Sequence, residues 1–294
     1  MKISISAKTD VGRGRENNED AYAFCPSLSK PDWHLEHTKG YVKLDPLGTL
    51  IVVADGMGGT NAGEVASAVA TETLKQMFST EAAQEAAKSD DAARALLVKA
   101  VKKADEAINL KMFDSPETAG MGTTIVICWI TTEKAYVAWC GDSRCYRYHA
   151  DDGLQPLTKD HSYVQELIDR GELTVEESFS HPDNNIITRG LGDFDTQVMP
   201  DIAISPVKAG DTFLLCSDGL CGYCTNEQIQ QILADSPGDT ERCTDQLLKK
   251  ALDVPGDDNI CIVVASLLDD EEEAPGGSGL KHFLKKLFGK APKS

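Results

Sequence analysis

The strongest constraint on this chain is a set of apolar runs that each end or begin at an aspartate. Thr49-Leu50-Ile51-Val52-Val53-Ala54 is a continuous apolar run that stops at Asp55, and Gly56-Met57-Gly58-Gly59 follows. A short apolar run closed by a glycine-rich turn reads as a buried strand. Tyr136-Val137-Ala138-Trp139-Cys140-Gly141 precedes Asp142, and Phe213-Leu214-Leu215-Cys216-Ser217 precedes Asp218. Asp258 stands just before Asn259-Ile260-Cys261-Ile262-Val263-Val264, and Glu19-Asp20 borders Ala21-Tyr22-Ala23-Phe24-Cys25. One aspartate at a strand end is an ordinary turn former. Five such sites, if the strand ends converge, make a pocket lined only by oxygen.

Between these runs the pattern alternates between strand and helix. Ile3, Ile5 and Ala7 alternate with Ser4, Ser6 and Lys8, which predicts a half-buried strand. Helical spacing predicts helices from Ala62 to Phe78 and from Asp90 to Met112. Strands are expected at Thr123–Ile130, Lys134–Cys140 and Arg144–His149, joined by short turns as a β-meander. Residues 157 to 198 are polar and less periodic, and read as short helices in a long surface excursion. Strands return at Val198–Ile204 and Thr212–Cys216. Helices follow near Asn226–Ala234 and Thr240–Leu252, and the last strand is Asn259–Leu268. This order predicts sheets covered by helices rather than a doubly wound parallel array.

A length of 294 residues, 41% of them hydrophobic, suffices for one large domain. The formal net charge of -18 opposes nucleic-acid backbones, so no nucleic-acid partner is expected for the body. Nine cysteines occur, an odd number, and several sit inside apolar runs such as Ile125-Val126-Ile127-Cys128-Trp129. Reduced, buried cysteine and a cytoplasmic location are the expectation. Cys221-Gly222-Tyr223-Cys224 has no second pair at zinc spacing. The N-terminus lacks the apolar core of a signal peptide, and no run reaches the length of a membrane span.

An all-oxygen pocket suits hard divalent cations such as Mg2+ and Mn2+. Two such ions can share a water, lower its pKa and present it to phosphorus. Gly56 sits where a backbone carbonyl could join a ligand set. Arg15 lies four residues before Glu19, and a guanidinium fork can hold a phosphoryl group in two places at once.

At this point the residues resemble a family, the metal-dependent protein phosphatases of type 2C. Gly12-Arg13-Gly14-Arg15-Glu16-Asn17-Asn18-Glu19-Asp20-Ala21 resembles its first motif, and Asp55-Gly56-Met57-Gly58-Gly59 its second. Met121-Gly122-Thr123-Thr124, Gly141-Asp142-Ser143-Arg144, Ser217-Asp218-Gly219 and Asp258-Asn259 follow in the family's order. Leu157-Thr158-Lys159-Asp160-His161-Ser162 and Ile187-Thr188-Arg189-Gly190-Leu191-Gly192 resemble the segments flanking its flap. The resemblance covers nearly all of residues 1–268, and Met57 is similar to the bacterial branch.

The resemblance implies an α+β fold in which two packed antiparallel β-sheets form a sandwich with α-helices on both sides. Residues 1–268 would be the catalytic domain, with a flap at about 160–195. It implies hydrolysis of phosphoserine and phosphothreonine in proteins, opposing a serine/threonine kinase, by a monomer. Asp55 would bridge two Mn2+ or Mg2+ ions. Asp218 and Asp258 would hold the first ion, the Gly56 carbonyl the second, and Glu19 and Asp20 would bind or orient metal waters. Arg15 would hold the substrate phosphate. Asp142 with Asp218 would hold a third, weaker ion. Met57 stands where eukaryotic relatives have a histidine as candidate general acid, which leaves water or another side chain, His161 in the flap being the one considered. Gly222 replaces an aspartate that relatives often carry, which weakens the third site. The class-different alternative is a pseudophosphatase that binds or senses phosphoproteins; the complete acid set favours an enzyme.

Beyond residue 268 the character changes. Residues 269–279 form an acidic and glycine-rich linker, and residues 280–294 a basic tail. Leu280, Phe283, Leu284, Leu287 and Phe288 lie at i, i+3, i+4, i+7 and i+8, which is one helical face with lysines opposite. Such a segment can lie on an anionic membrane surface or dock on a partner protein.

Overall fold

The computed structural model describes residues 1–33, 37–38, 40–58, 62–192, 198–253 and 258–270. Gly59, the end of the predicted flap and the tail residues Leu280, Phe283, Leu284, Leu287 and Phe288 lie outside that set. The strands are β1 (Lys2–Asp10), β2 (Asp20–Cys25), β3 (Val42–Lys43), β4 (Thr49–Met57), β5 (Gly122–Thr123), β6 (Ile125–Ile130), β7 (Lys134–Cys140), β8 (Arg144–His149), β9 (Gly153–Pro156), β10 (Leu191–Gly192), β11 (Asp201–Pro206), β12 (Thr212–Cys216) and β13 (Ile260–Leu268). The helices are α1 (Gly63–Met77), α2 (Thr80–Ala86), α3 (Asp90–Asp114), α4 (Tyr163–Asp169), α5 (Val175–Ser178), α6 (Asp218–Cys221), α7 (Asn226–Asp235) and α8 (Thr240–Asp253).

One sheet has the order β3-β1-β13-β12-β8-β9, and the other β10-β5-β4-β6-β7-β11 with β2 also on β4. The two sheets pack face to face. Ile3, Ile5, Ile51, Val53, Val126, Phe213, Leu215 and Val263 fill the space between them. The outer face of the β4 sheet is covered by α1 and α3, through Ala66, Ala70, Leu74, Leu97 and Val101 against Val52, Ile125 and Trp129. The outer face of the β12 sheet is covered by α7 and α8, through Ile229, Leu233 and Leu247 against Leu214, Ile262 and Val264. Helices on both faces of two packed antiparallel sheets match the expected α+β sandwich.

Burial on both faces explains why several strands are apolar throughout instead of alternating. β1 corrects the expectation of a half-buried strand. Ser4 and Ser6 are buried too, because α8 lies over them, and their hydroxyls bond Thr240 at 3.1 Å and Thr244 at 3.0 Å. A buried hydroxyl needs such a partner. The expected meander also needs correction. β6 and β7 form a hairpin, but β8 pairs with β9 and β12 in the opposite sheet. Gly141, at φ +117°, turns the chain there. A Cβ at that residue would lie 2.5 Å from Thr124 Cβ, so both the space and the backbone angle call for glycine.

Antiparallel pairing carries a consequence for function. Asp10 pairs near Ile260, Cys216 opposite both Ile262 and Arg144, Asp20 opposite Asp55, and Ile125 opposite Cys140. The ends of β1, β4, β7 and β12 therefore share one end of the sandwich with the starts of β2, β6, β8 and β13. All the acids singled out in the sequence sit on those strand ends or in the links between them.

Candidate functional site

Asp55 lies near the end of β4 and Asp20 begins β2, the two directly opposite in the ladder. Asp218 begins α6 just after β12, Asp258 precedes β13, and Asp142 forms the corner between β7 and β8. These carboxylates feel one another. Desolvation is the largest influence on Asp55 and holds its pKa well above the ordinary carboxylate value; the charges of Asp20, Asp218, Asp142 and Asp258 push the same way. Burial likewise raises Asp20 to about 8, with the Ser217 hydroxyl opposing and Asp218 and Asp258 adding. Asp218 is pushed up to about 6, first by burial and then by Asp258. Burial followed by Asp218 and Asp160 raises Asp142 well above its usual value. Asp55, Asp20 and Asp218 keep some access to solvent, while Asp142 is 6% exposed.

The backbone and neighbouring hydroxyls hold these acids in place. Thr124 Oγ1 accepts from the Asp55 N–H at 3.1 Å, and Thr123 Oγ1 donates to the Asp55 carbonyl at 2.8 Å. Ser217 Oγ donates to Asp20 Oδ2 at 2.7 Å and accepts from the Cys261 N–H at 2.9 Å. Asn259 Oδ1 accepts from the Glu19 N–H at 2.8 Å, while its Nδ2 donates to the carbonyls of Val11 and Asn17 at 2.9 and 2.8 Å. The threonines and Asn259 belong to the motifs quoted above, but nothing in their local sequence announces those partners.

Glu19 shows a contact that the sequence did not signal. Its carboxyl group lies against the Gly63 backbone at the start of α1. A Cβ at Gly63 would lie 2.8 Å from the Glu19 carboxyl carbon and 2.8 Å from the Gly56 carbonyl carbon. The helix can approach the site only because residue 63 is glycine. Gly56 itself pairs with Thr123 across β4 and β5. Burial raises the Glu19 pKa, the Arg15 charge opposing.

Arg15 lies in the loop between β1 and β2. Its Nη2 is 2.9 Å from Asp258 Oδ1 and 3.1 Å from Oδ2. The guanidinium thus reaches the acids and remains half exposed at the mouth. Gly222 ends α6, its N–H donating to the Asp218 carbonyl at 2.6 Å. His161 is not placed to protonate a leaving group. It is 4% exposed, its Nδ1 accepts from the Gly141 N–H, and its Nε2 faces Asp201.

The donor set fits divalent cations on an observation within the protein. One oxygen each of Asp20, Asp142 and Asp218 is buried with no hydrogen-bond partner. Buried anionic oxygens without a donor or counter-charge are costly. A cation among them relieves both the desolvation and the mutual repulsion. Among the described residues no three carboxylate, imidazole or thiol groups close into a shell around one point. Ions that keep several of their waters need only one or two carboxylates apiece, and carboxylate with carbonyl oxygen is the chemistry that Mg2+ and Mn2+ take.

Comparison with known proteins agrees with this geometry. The serine/threonine phosphatase stp of Listeria innocua is 32% identical, over 87% of this chain and 93% of its own length. The crystal structure of serine/threonine phosphatase Stp1 from Staphylococcus aureus superposes with a TM-score of 0.76 at 32% identity, covering 90% of this chain and 95% of that one. The catalytic domain of the serine/threonine protein phosphatase PstP, crystallised with two manganese ions, superposes with a TM-score of 0.72 at 29% identity, covering 91% of this chain and 99% of that one. Residues 38–253 match the family described as Protein phosphatase 2C. The motifs, the sandwich and these similarities agree: the chain belongs to the protein phosphatase 2C family.

Proposed function

We propose that this protein is a serine/threonine protein phosphatase that removes phosphate from phosphoserine and phosphothreonine in proteins with the help of divalent cations. The observation that carries the reading is the convergence of Asp20, Asp55, Asp142 and Asp218, with buried carboxylate oxygens that no protein donor satisfies. Relatives named as serine/threonine phosphatases, one of them crystallised with two manganese ions, support the same activity.

Asp55 stands opposite Asp20 and within the influence of Asp218, Asp142 and Asp258, and is the residue that would serve both ions. Asp218 and Asp258 would hold one of them and the Gly56 carbonyl the other. Glu19 and Asp20 would orient their waters, and Asp142 with Asp218 would take a third, weaker ion. When bound, Mn2+ or Mg2+ supplies Lewis-acid stabilisation and activates water for attack on phosphorus. Arg15 is a mobile-length side chain at the mouth, half exposed and close to Asp258. A phosphate dianion competes with Asp258 for the guanidinium and gains a two-point hydrogen bond. Thr123, Thr124 and Ser217 keep the acids from moving as charge builds up on the phosphoryl oxygens, which is what preorganised catalysis needs. With His161 turned inward, the leaving alkoxide takes its proton from water.

The segment at about residues 160–195, which carries α4 and α5, would act as a flap that shapes access for a phosphoprotein. Residues 1–268 would be the catalytic unit, acting as a monomer on the targets of a serine/threonine kinase. The nine free, buried cysteines support a reducing, cytoplasmic setting. The amphipathic pattern of residues 280–288 supports a peripheral contact with an anionic membrane or a partner protein. Phosphate release from phosphoserine and phosphothreonine peptides, with Mn2+, with Mg2+ and with EDTA, tests the activity. Turnover with either cation and none with EDTA is expected. A folded protein that binds these peptides without releasing phosphate under any cation would instead be a phosphoprotein-binding module.

A further inference from the structure

The excursion leaves and rejoins the body through a narrow neck. Ser162 and Ile187 pair as an antiparallel bridge. The Tyr163 N–H donates to the Ile186 carbonyl at 2.9 Å, and the Thr188 N–H to the His161 carbonyl at 2.8 Å. One buried imidazole joins this neck to the corner that carries Asp142. The His161 backbone N–H donates to the Gly141 carbonyl at 3.0 Å, and the Gly141 N–H returns a bond to the ring at His161 Nδ1, at 3.1 Å.

That second bond assigns the tautomer. Nδ1 accepts, so the proton of the neutral ring sits on Nε2, 3.2 Å from Asp201 Oδ2. Asp201 in turn receives both terminal nitrogens of Arg189, at 3.2 and 3.3 Å. The ring also stacks on Trp139, with centroids 6.0 Å apart and planes 17° apart.

A core histidine needs only partners for its two nitrogens. Here the partners occupy particular places. Gly141 is the residue immediately before Asp142, and one oxygen of Asp142 is buried without a hydrogen-bond partner. Arg189 follows the returning side of the neck. The chain of contacts Arg189–Asp201–His161–Gly141 therefore runs from the neck to the peptide that aims the Asp142 carboxylate.

The geometry points to His161 as a positioning residue, which fixes the Gly141–Asp142 peptide and passes to the Asp142 carboxylate the placement of the neck, through Asp201 and Arg189. The inference rests on the reading above that Asp142 takes part in cation binding. His161 touches neither substrate nor cation; it acts on Asp142 through one backbone bond. Outer partners of this kind commonly alter metal affinity by about 10–100-fold.

Two substitutions separate the two nitrogens. His161→Asn keeps an acceptor near the Nδ1 place for Gly141. His161→Gln keeps a donor towards Asp201 and loses that acceptor. Arg189→Gln, at a half-exposed residue, breaks the far end of the chain without disturbing the core. Titration calorimetry with Mn2+ on the full chain, beside Asp142→Asn, reads out the step that depends on Asp142. In His161→Gln that step should weaken by about tenfold or more. In His161→Asn, which keeps the Gly141 bond and loses Asp201, it should weaken less than in His161→Gln, and in Arg189→Gln it should weaken in the same direction and to a similar extent as in His161→Asn. A merely structural histidine would lower the melting temperature of both His161 variants and leave every Mn2+ step unchanged, which would overturn the proposal. An unchanged Arg189→Gln would overturn the link to the neck. Wild-type protein that takes up no Mn2+ would overturn the cation-site reading itself, and this proposal with it.

Discussion

Asp20 and Asp55 stand directly opposite each other across the β2–β4 ladder, two carboxylates on neighbouring backbones with burial as the main influence on each. Like charges facing across a ladder destabilise it, so the pair is a local cost that a cation removes. Saturating Mn2+ should therefore raise the melting temperature. A single site filled at a hundredfold excess over its dissociation constant contributes about 2.7 kcal/mol. Scanning fluorimetry with Mn2+ against EDTA measures this, and Asp55→Asn should lose most of the response. An identical melting temperature with and without cation would count against the pocket.

Gly63 sets how closely α1 approaches the acids. Gly63 is the first residue of α1, a position where helix propensity alone does not disfavour alanine. Here its Cβ would press on the Glu19 carboxyl and the Gly56 carbonyl carbon, each 2.8 Å away. Gly63→Ala should accordingly lower, not raise, the melting temperature, by about 1–3 kcal/mol of overpacking, and weaken Mn2+ binding along with it. A variant more stable than wild type, with unchanged Mn2+ affinity, would show that the approach is not tight.

Asn259 is 4% exposed and ties the β1–β2 loop to the start of β13 with three hydrogen bonds. Removing it leaves the backbone groups of Val11, Asn17 and Glu19 without that partner, at about 1–3 kcal/mol each where water cannot replace the bond. Asn259→Ala should lose about 2–3 kcal/mol in urea unfolding and loosen the loop that carries Arg15. A KM that rises more than kcat falls, on a phosphopeptide, is the kinetic signature expected.

His161 has a pH consequence with a definite sign. Burial lowers its pKa below the ordinary 6.5, Asp201 opposing and Arg189 adding to the decrease. The unfolded chain then binds the proton more readily than the folded one, so this residue's contribution to stability falls as pH drops through about 6.5. Urea titrations of wild type and His161→Gln at several pH values between about 5 and 8 isolate that contribution. The wild type should lose more stability on acidification than the variant; equal losses would mean that the ring is protonated without penalty.

The strands that end at acids were legible in the sequence because apolar runs and turn residues are local signals. Thr212–Cys216 and Lys134–Cys140 stand where the pattern places them. The seven-residue helix α2 was missed, being too short for a periodic signal, although Ser79 caps it. The partner of β8 was not legible either. A strand, a tight link and another strand look alike whether the second strand stays in the sheet or crosses to the other. The backbone angle at Gly141 and its closeness to Thr124 decide that, and both depend on tertiary contact. The same holds for the site. The acids announced themselves by position, but the Glu19–Gly63 contact, the Ser217–Asp20 bond and the His161–Asp201–Arg189 chain join residues far apart in sequence.

The most direct measurement is the hydrolysis of p-nitrophenyl phosphate by wild type and Asp55→Asn over a range of Mn2+ concentrations, with both proteins shown to be folded. Asp55 is the acid on which the other four act, so its loss should reduce kcat by about a thousandfold or more, equivalent to about 4 kcal/mol of transition-state stabilisation. Wild-type turnover should rise with Mn2+ and vanish in EDTA. Turnover that is independent of cation, or an Asp55→Asn protein as active as wild type, would contradict the assignment of this acidic cluster as the catalytic centre.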